Sequence, residues 1–108
     1  MTTDEMVDEI LKSGERFARA VTEELALEDE KPLRKADAIR SIIGSENVET
    51  GKPHSASSAE KVVEAHPEYA AFLTDRRAAT YEKIVAGARY AAAKARARMA
   101  AGMAEVLA

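Results

Sequence analysis

The 108-residue chain has no cysteine and no tryptophan. Without cysteine it can hold neither a disulfide framework nor a thiolate zinc site. Aromatic residues make up 5% of it, and it has three prolines and five glycines. No apolar run approaches the roughly 18 residues of a membrane span. The opening MTTDEMVDE is acidic, which does not suit a signal peptide. The expectation is a cytoplasmic protein with no membrane partner. Large hydrophobic residues are scarce as well. The apolar fraction is 46%, but 23 of those residues are alanine, and Val, Ile, Leu and Phe together number 20. That lies near the low edge for a globular chain. By length it is a single domain, 1–108.

Charge is abundant and uneven. The formal net charge is −3, yet residues 1–30 hold ten acids and three bases, and residues 76–98 hold seven bases and one acid. Such asymmetry marks either a basic binding surface or an acidic segment lying against a basic one. Only a basic patch left uncovered gains from counterion release on phosphates.

The chain reads as helices around one long loop, an all-α fold. Thr2 and Glu5 have capping-box spacing, which predicts a first helix from about Thr3 to Leu27. Val7, Ile10, Leu11, Phe17, Val21 and Leu25 fall on one face of it, with Gly14 on the same stripe. Pro32 should stop this helix and open a second, short one over Pro32–Ile43, with Gly44 as its left-handed cap. Residues 44–57 are polar and rich in Gly and Ser, and read as a loop. Loops of that length in a compact domain are commonly functional. Ser57 and Glu60 form another capping-box pair, which predicts a helix over Ser58–Ala65.

From Pro67 to about Leu107 only Gly87 and Gly102 interrupt good helix formers. Apolar positions recur there every eleven residues. Leu73, Ile84, Ala95 and Val106 form one row, Ala88 and Met99 a second, and Tyr81, Ala92 and Met103 a third. Eleven residues is 3.67 per turn, which favours a nearly straight or slightly right-handed helix pair. The middle of the stripe, with Ala88, Ala91, Ala92 and Ala95, is small enough for close helix approach but buries little on its own. These nine positions (Leu73, Tyr81, Ile84, Ala88, Ala91, Ala92, Ala95, Met99 and Met103) are the expected interface of a homo-oligomer, a dimer first. The expected architecture is a helical hairpin or bundle within that oligomer.

Residues able to do chemistry are few. Thr50-Gly51-Lys52-Pro53 lacks the spacing and the preceding strand of a phosphate loop. His54 and His66 lack enough partners at ligand spacing for a metal site. No nucleophile-elbow sequence surrounds the loop serines near His54. The expectation is therefore no enzyme, no catalytic residue, no metal and no cofactor, with a small hydrolase or nuclease as a distant alternative. The loop residues Asn47, Thr50, Gly51, Lys52, His54 and Ser55 offer mixed donors and acceptors and are candidates for holding a partner. Arg76, Lys83 and Lys94 fall on one stripe of a helical wheel beside Tyr90. That arrangement suits a nucleic-acid backbone with base stacking; it also suits basic stems lying over apolar surface.

The stretch from Asn47 through Thr50-Gly51-Lys52-Pro53-His54-Ser55 to Glu60, then Ala65-His66-Pro67-Glu68-Tyr69 and an Ala/Arg-rich helix, resembles small helical proteins of phage and prophage early regions. The resemblance implies an accessory role, either assisting DNA recombination or blocking a host factor. The expected partner is then a host or phage protein, with nucleic acid the alternative.

Overall fold

A computed structural model describes residues 1–107, with side chains as far as Met103. The fold is all-α: α1 is Thr3–Ile42, α2 is Ala56–Val62 and α3 is Pro67–Leu107, with one turn of 3-10 helix, Val63–Ala65, leading into α3. No strand occurs among the described residues, only an isolated antiparallel bridge between Glu46 and Pro53. No helix is long and apolar enough to cross a membrane among those residues. Val106, the last member of its eleven-residue row, has its side chain outside the described residues.

The capping box at the start of α1 is formed. The Glu5 N–H donates to Thr2 Oγ1 at 3.1 Å, and the Thr2 N–H donates to Glu5 Oε1 at 3.3 Å. The predicted stop at Pro32 is not. Helix α1 runs through it to Ile42, so the two helices expected on either side of Pro32 are one. Proline removes a helix hydrogen bond and crowds the preceding turn, at about 3 kcal/mol. Packing overrides that cost, because Leu27 before the proline and Ala38, Ile39 and Ile42 after it all lie on one apolar cluster. Pro32 itself is exposed, which leaves the bereft carbonyl within reach of water.

The start of α2 also differs from expectation. Ser55, not Ser57, is the N-cap, and its side chain accepts from the Ser58 N–H at 3.2 Å. Gly44 ends α1 as expected, with φ of 87°.

The chain forms two compact units, Met1–Glu24 with Ala79–Ala108, and Leu25–Ala78. In the first, α1 and α3 run antiparallel. Glu9 pairs with Arg96, Phe17 lies over Gly87, and Glu24 Oε1 meets Lys83 Nζ at 2.6 Å. The covered positions of α3 include the row Ala79, Lys83, Ala86, Tyr90, Ala93, Ala97 and Ala100, alternating steps of four and three. That is a seven-residue spacing, the repeat of a helix-to-helix seam. On α1 the matching row is Met6, Ile10, Ser13, Phe17, Ala20 and Glu24.

Two glycines let this seam close. A Cβ on Gly14 would stand 3.0 Å from Tyr90 Cε1, and one on Gly87 would stand 3.0 Å from Phe17 Cε1. Each aromatic ring thus lies over the other helix's glycine, and the rings themselves are 6.1 Å apart.

The second unit holds the denser core: Ala38, Ile42, Ala59, Val63, Tyr69 and Phe72, with Leu27, Ile39 and Leu73 packed against it. Tyr69 and Phe72 stack at 6.2 Å, and the Arg34 guanidinium lies 5.7 Å from the Phe72 ring centroid. Glu28 pairs with Arg76. At the start of α3 the His66 carbonyl accepts from the Ala70 N–H at 2.8 Å, while His66 Nδ1 is buried with no hydrogen-bond partner.

Candidate functional site

Helix α3 carries two patterns, and they face different ways. The seven-residue row faces α1. The eleven-residue apolar rows do not. Tyr81, Ile84, Met99 and Met103 are 65%, 62%, 69% and 63% exposed, and Ala88, Ala91, Ala92 and Ala95 between them are exposed as well. Eight of the nine residues expected at an oligomer interface therefore form one bare apolar face, about opposite the seam. Leu73 is the exception. It lies in the second unit and packs against the core there, because this part of α3 receives α2 and the 3-10 turn.

Helix α1 repeats the pattern in milder form. The face read from sequence joined Val7, Ile10, Leu11, Phe17, Val21 and Leu25, but Val7, Leu11 and Leu25 are exposed. The seam is rotated from that face, toward Met6, Ser13, Ala20 and Glu24. Alanine, serine and glycine at the seam allow close approach around the Phe17 and Tyr90 rings, while Val7, Leu11 and Leu25 are left outside. Within the first unit, Val7 borders a shallow groove of about 200 Å³ with Met6, Ile10, Ala97, Ala100 and Ala101.

Of the candidate nucleic-acid residues, Lys83, Tyr90 and Lys94 lie near the seam of the first unit, and Arg76 belongs to the second. Arg76 is engaged by Glu28, and Lys83 by Glu24, whose side chain is only 13% exposed. Lys94 Nζ lies 4.2 Å from the Tyr90 ring centroid. Tyr90 in turn lies against Gly14 and Phe17, so its ring faces are used within the protein. The acidic start of the chain thus supplies carboxylates to the basic helix: Glu9 and Glu24 in the first unit, and Glu28 in the second.

The candidate partner loop is ordered by its own hydrogen bonds. The Gly44 N–H donates to the His54 carbonyl at 3.0 Å, the His54 N–H to the Ser45 carbonyl at 2.7 Å, and the Asn47 N–H to the Lys52 carbonyl at 2.8 Å. Gly51, with φ of 69°, closes the tip by donating to the Asn47 carbonyl at 2.7 Å. Asn47 Oδ1 accepts from the Glu49 N–H, and the Lys52 N–H donates to Thr50 Oγ1. Every residue singled out in the loop has a place in this turn. Ser58, weighed in the sequence only as one of the serines near His54, ties the turn to α2. Its Oγ lies 2.7 Å from His54 Nδ1 and accepts from Asn47 Nδ2 at 3.3 Å. The spacing His54 to Ser58 was the available signal, because four residues bring a side chain back over a helix start.

Around this turn is an open cleft of about 570 Å³, lined by Glu46, Asn47, Val48, Glu49, His54, Ser55, Ser57, Ser58, Lys61 and Val62. The His54–Ser58 contact has the form of a base beside a hydroxyl. Catalysis would further need donors aimed at a developing oxyanion, and the Asn47 amide is already spent on the Ser58 hydroxyl. The trio is read most simply as the pin that holds the turn. Among the described residues no three His, Asp or Glu side chains are placed to hold a metal ion.

No family model matches the chain, and no curated protein or solved structure is significantly similar to it.

Proposed function

We propose that the chain is a non-enzymatic accessory protein that works by protein–protein association, of the kind implied by its resemblance to small phage and prophage proteins. The outer face of α3 is the surface through which chains assemble. The pinned turn between α1 and α2, with its mixed polar cleft, is the face offered to a host or phage protein. One observation carries this reading. The long apolar stripe of α3 is bare, while the same helix turns a row of alanines with Lys83 and Tyr90 toward α1. Contiguous exposed apolar surface of this kind marks interaction sites in soluble proteins.

Sedimentation across a range of protein concentrations tests it. The wild-type chain is expected to sediment above its 11.7 kDa monomer mass. Ile84→Glu and Ala92→Glu are expected to return it to monomer with helical circular dichroism unchanged, because both side chains lie away from the seam. A wild-type protein that stays monomeric up to hundreds of micromolar refutes the reading.

A further inference from the structure

The bare face of α3 has an internal symmetry that points to its occupant. Its side chains run large, large, then four alanines, then large, large. Counting outward from the midpoint between Ala91 and Ala92, Ala88 answers Ala95 and Ile84 answers Met99, while Tyr81 answers Gly102, with Met103 the next residue beyond it. A two-fold contact requires this property, since residue i must meet residue j while j meets i.

The geometry points to a second copy of this chain, its α3 laid antiparallel on the first, with the two-fold axis between Ala91 and Ala92. This rests on the association proposed above and adds the partner and the register. In this arrangement the alanines meet in the middle, where helix axes approach toward the 8 Å end of the packing range. The large side chains meet at both ends, Ile84 against Met99, and Tyr81 over Gly102 beside Met103. Thioethers pack favourably at ring edges, and methionine adapts to an irregular gap. The eleven-residue period keeps the contact facing along a nearly straight pair, so both ends of the stripe are used.

The exposure of the face agrees. Tyr81, Ile84, Met99 and Met103 are 65%, 62%, 69% and 63% exposed, so a two-fold contact through α3 covers large apolar side chains that the first unit leaves in water.

Because the chain has no cysteine, introduced thiols report the register cleanly. Full-length chains carrying Ile84→Cys or Met99→Cys are treated with a short bis-maleimide, separately and mixed, with sedimentation run in parallel. The antiparallel register predicts cross-linked dimer in the mixture, at least ten-fold over either variant alone. The two Ile84 positions would lie about 22 Å apart along the axis at 1.5 Å per residue. Efficient cross-linking of Ile84→Cys with itself overturns the register and leaves the association standing. Association without any cross-link at these positions overturns the face as well. A chain that is monomeric throughout removes the reading on which the inference rests.

Discussion

The aromatic-over-glycine contact between α1 and α3 sets two physical effects against each other, and three glycine substitutions measure the result. In a helix interior, Gly→Ala gains about 1 kcal/mol from backbone entropy alone. Gly102 lies in α3 with nothing within 4 Å of where its Cβ would stand. Gly102→Ala is therefore expected to stabilise, by up to about 1 kcal/mol and less if the helix end frays. Gly14 and Gly87 would gain the same amount, but each new methyl would stand 3.0 Å from a ring carbon. Ordinary carbon contacts sit near 3.5–4.0 Å, so the ring or the helix must retreat by a few tenths of an ångström. Overpacking of this kind costs about 1–3 kcal/mol. The net for Gly14→Ala and Gly87→Ala is then a loss of about 0–2 kcal/mol. Thermal melts at one fixed protein concentration read the difference, since association shifts Tm by mass action. Each kcal/mol moves Tm by about 4–8 °C in a domain near this size. Shortening the opposing ring should rescue: Phe17→Leu is expected to cost less in the Gly87→Ala background than in the wild type, a coupling that a double-mutant cycle isolates. If Gly87→Ala raises Tm as much as Gly102→Ala does, the two helices do not close as described and the reasoning fails.

Pro32→Ala should stabilise the protein by as much as about 3 kcal/mol, because an exposed interior helix position regains its hydrogen bond and loses the ring clash; urea denaturation checks this, and a destabilised variant would mean α1 needs its proline. The Glu24–Lys83 pair, with Lys83 34% and Glu24 13% exposed, calls for a cycle of Lys83→Met, Glu24→Leu and the double variant. Either single change is expected to cost about 1–3 kcal/mol, below the 3–5 kcal/mol of a fully buried pair, while the double change is expected to be neutral or stabilising; a double variant as weak as the sum of the singles would show that the charges themselves hold the seam.

Local signals read from sequence survive where one short-range force decides. Thr2 and Glu5 close their box, Gly44 takes a left-handed cap, and α3 begins at Pro67 because each needs only its own turn. Pro32 misleads for the opposite reason: Leu27, Ala38, Ile39 and Ile42 share a core that only the folded chain brings together, and the packing outweighs the local penalty. The structural role of Ser58 goes unread because one of its partners, Asn47, reaches it only after the loop has turned back at Gly51, although His54 lies four residues before it.

The seam is the instructive failure. Apolar periodicity picks out the stripe that has most to gain from leaving water, and on both long helices that stripe includes residues the fold leaves outside. The inner row reads poorly because alanine, serine and charged residues interrupt its few large members, Met6, Ile10, Phe17 and Tyr90. Their contribution is close approach, with aromatic rings over glycines and with Glu9 and Glu24 meeting Arg96 and Lys83. A helix that spends its smallest side chains inward and keeps Tyr81, Ile84, Met99 and Met103 outward gains little by folding alone. At about 25 cal/mol per Å² of apolar surface, most of the hydrophobic free energy in those outer residues is still available after the monomer has formed. Glu9 and Glu24 of α1 pair with Arg96 and Lys83, while the outer face of α3 stays apolar and bare, and the proposed association draws on that surface.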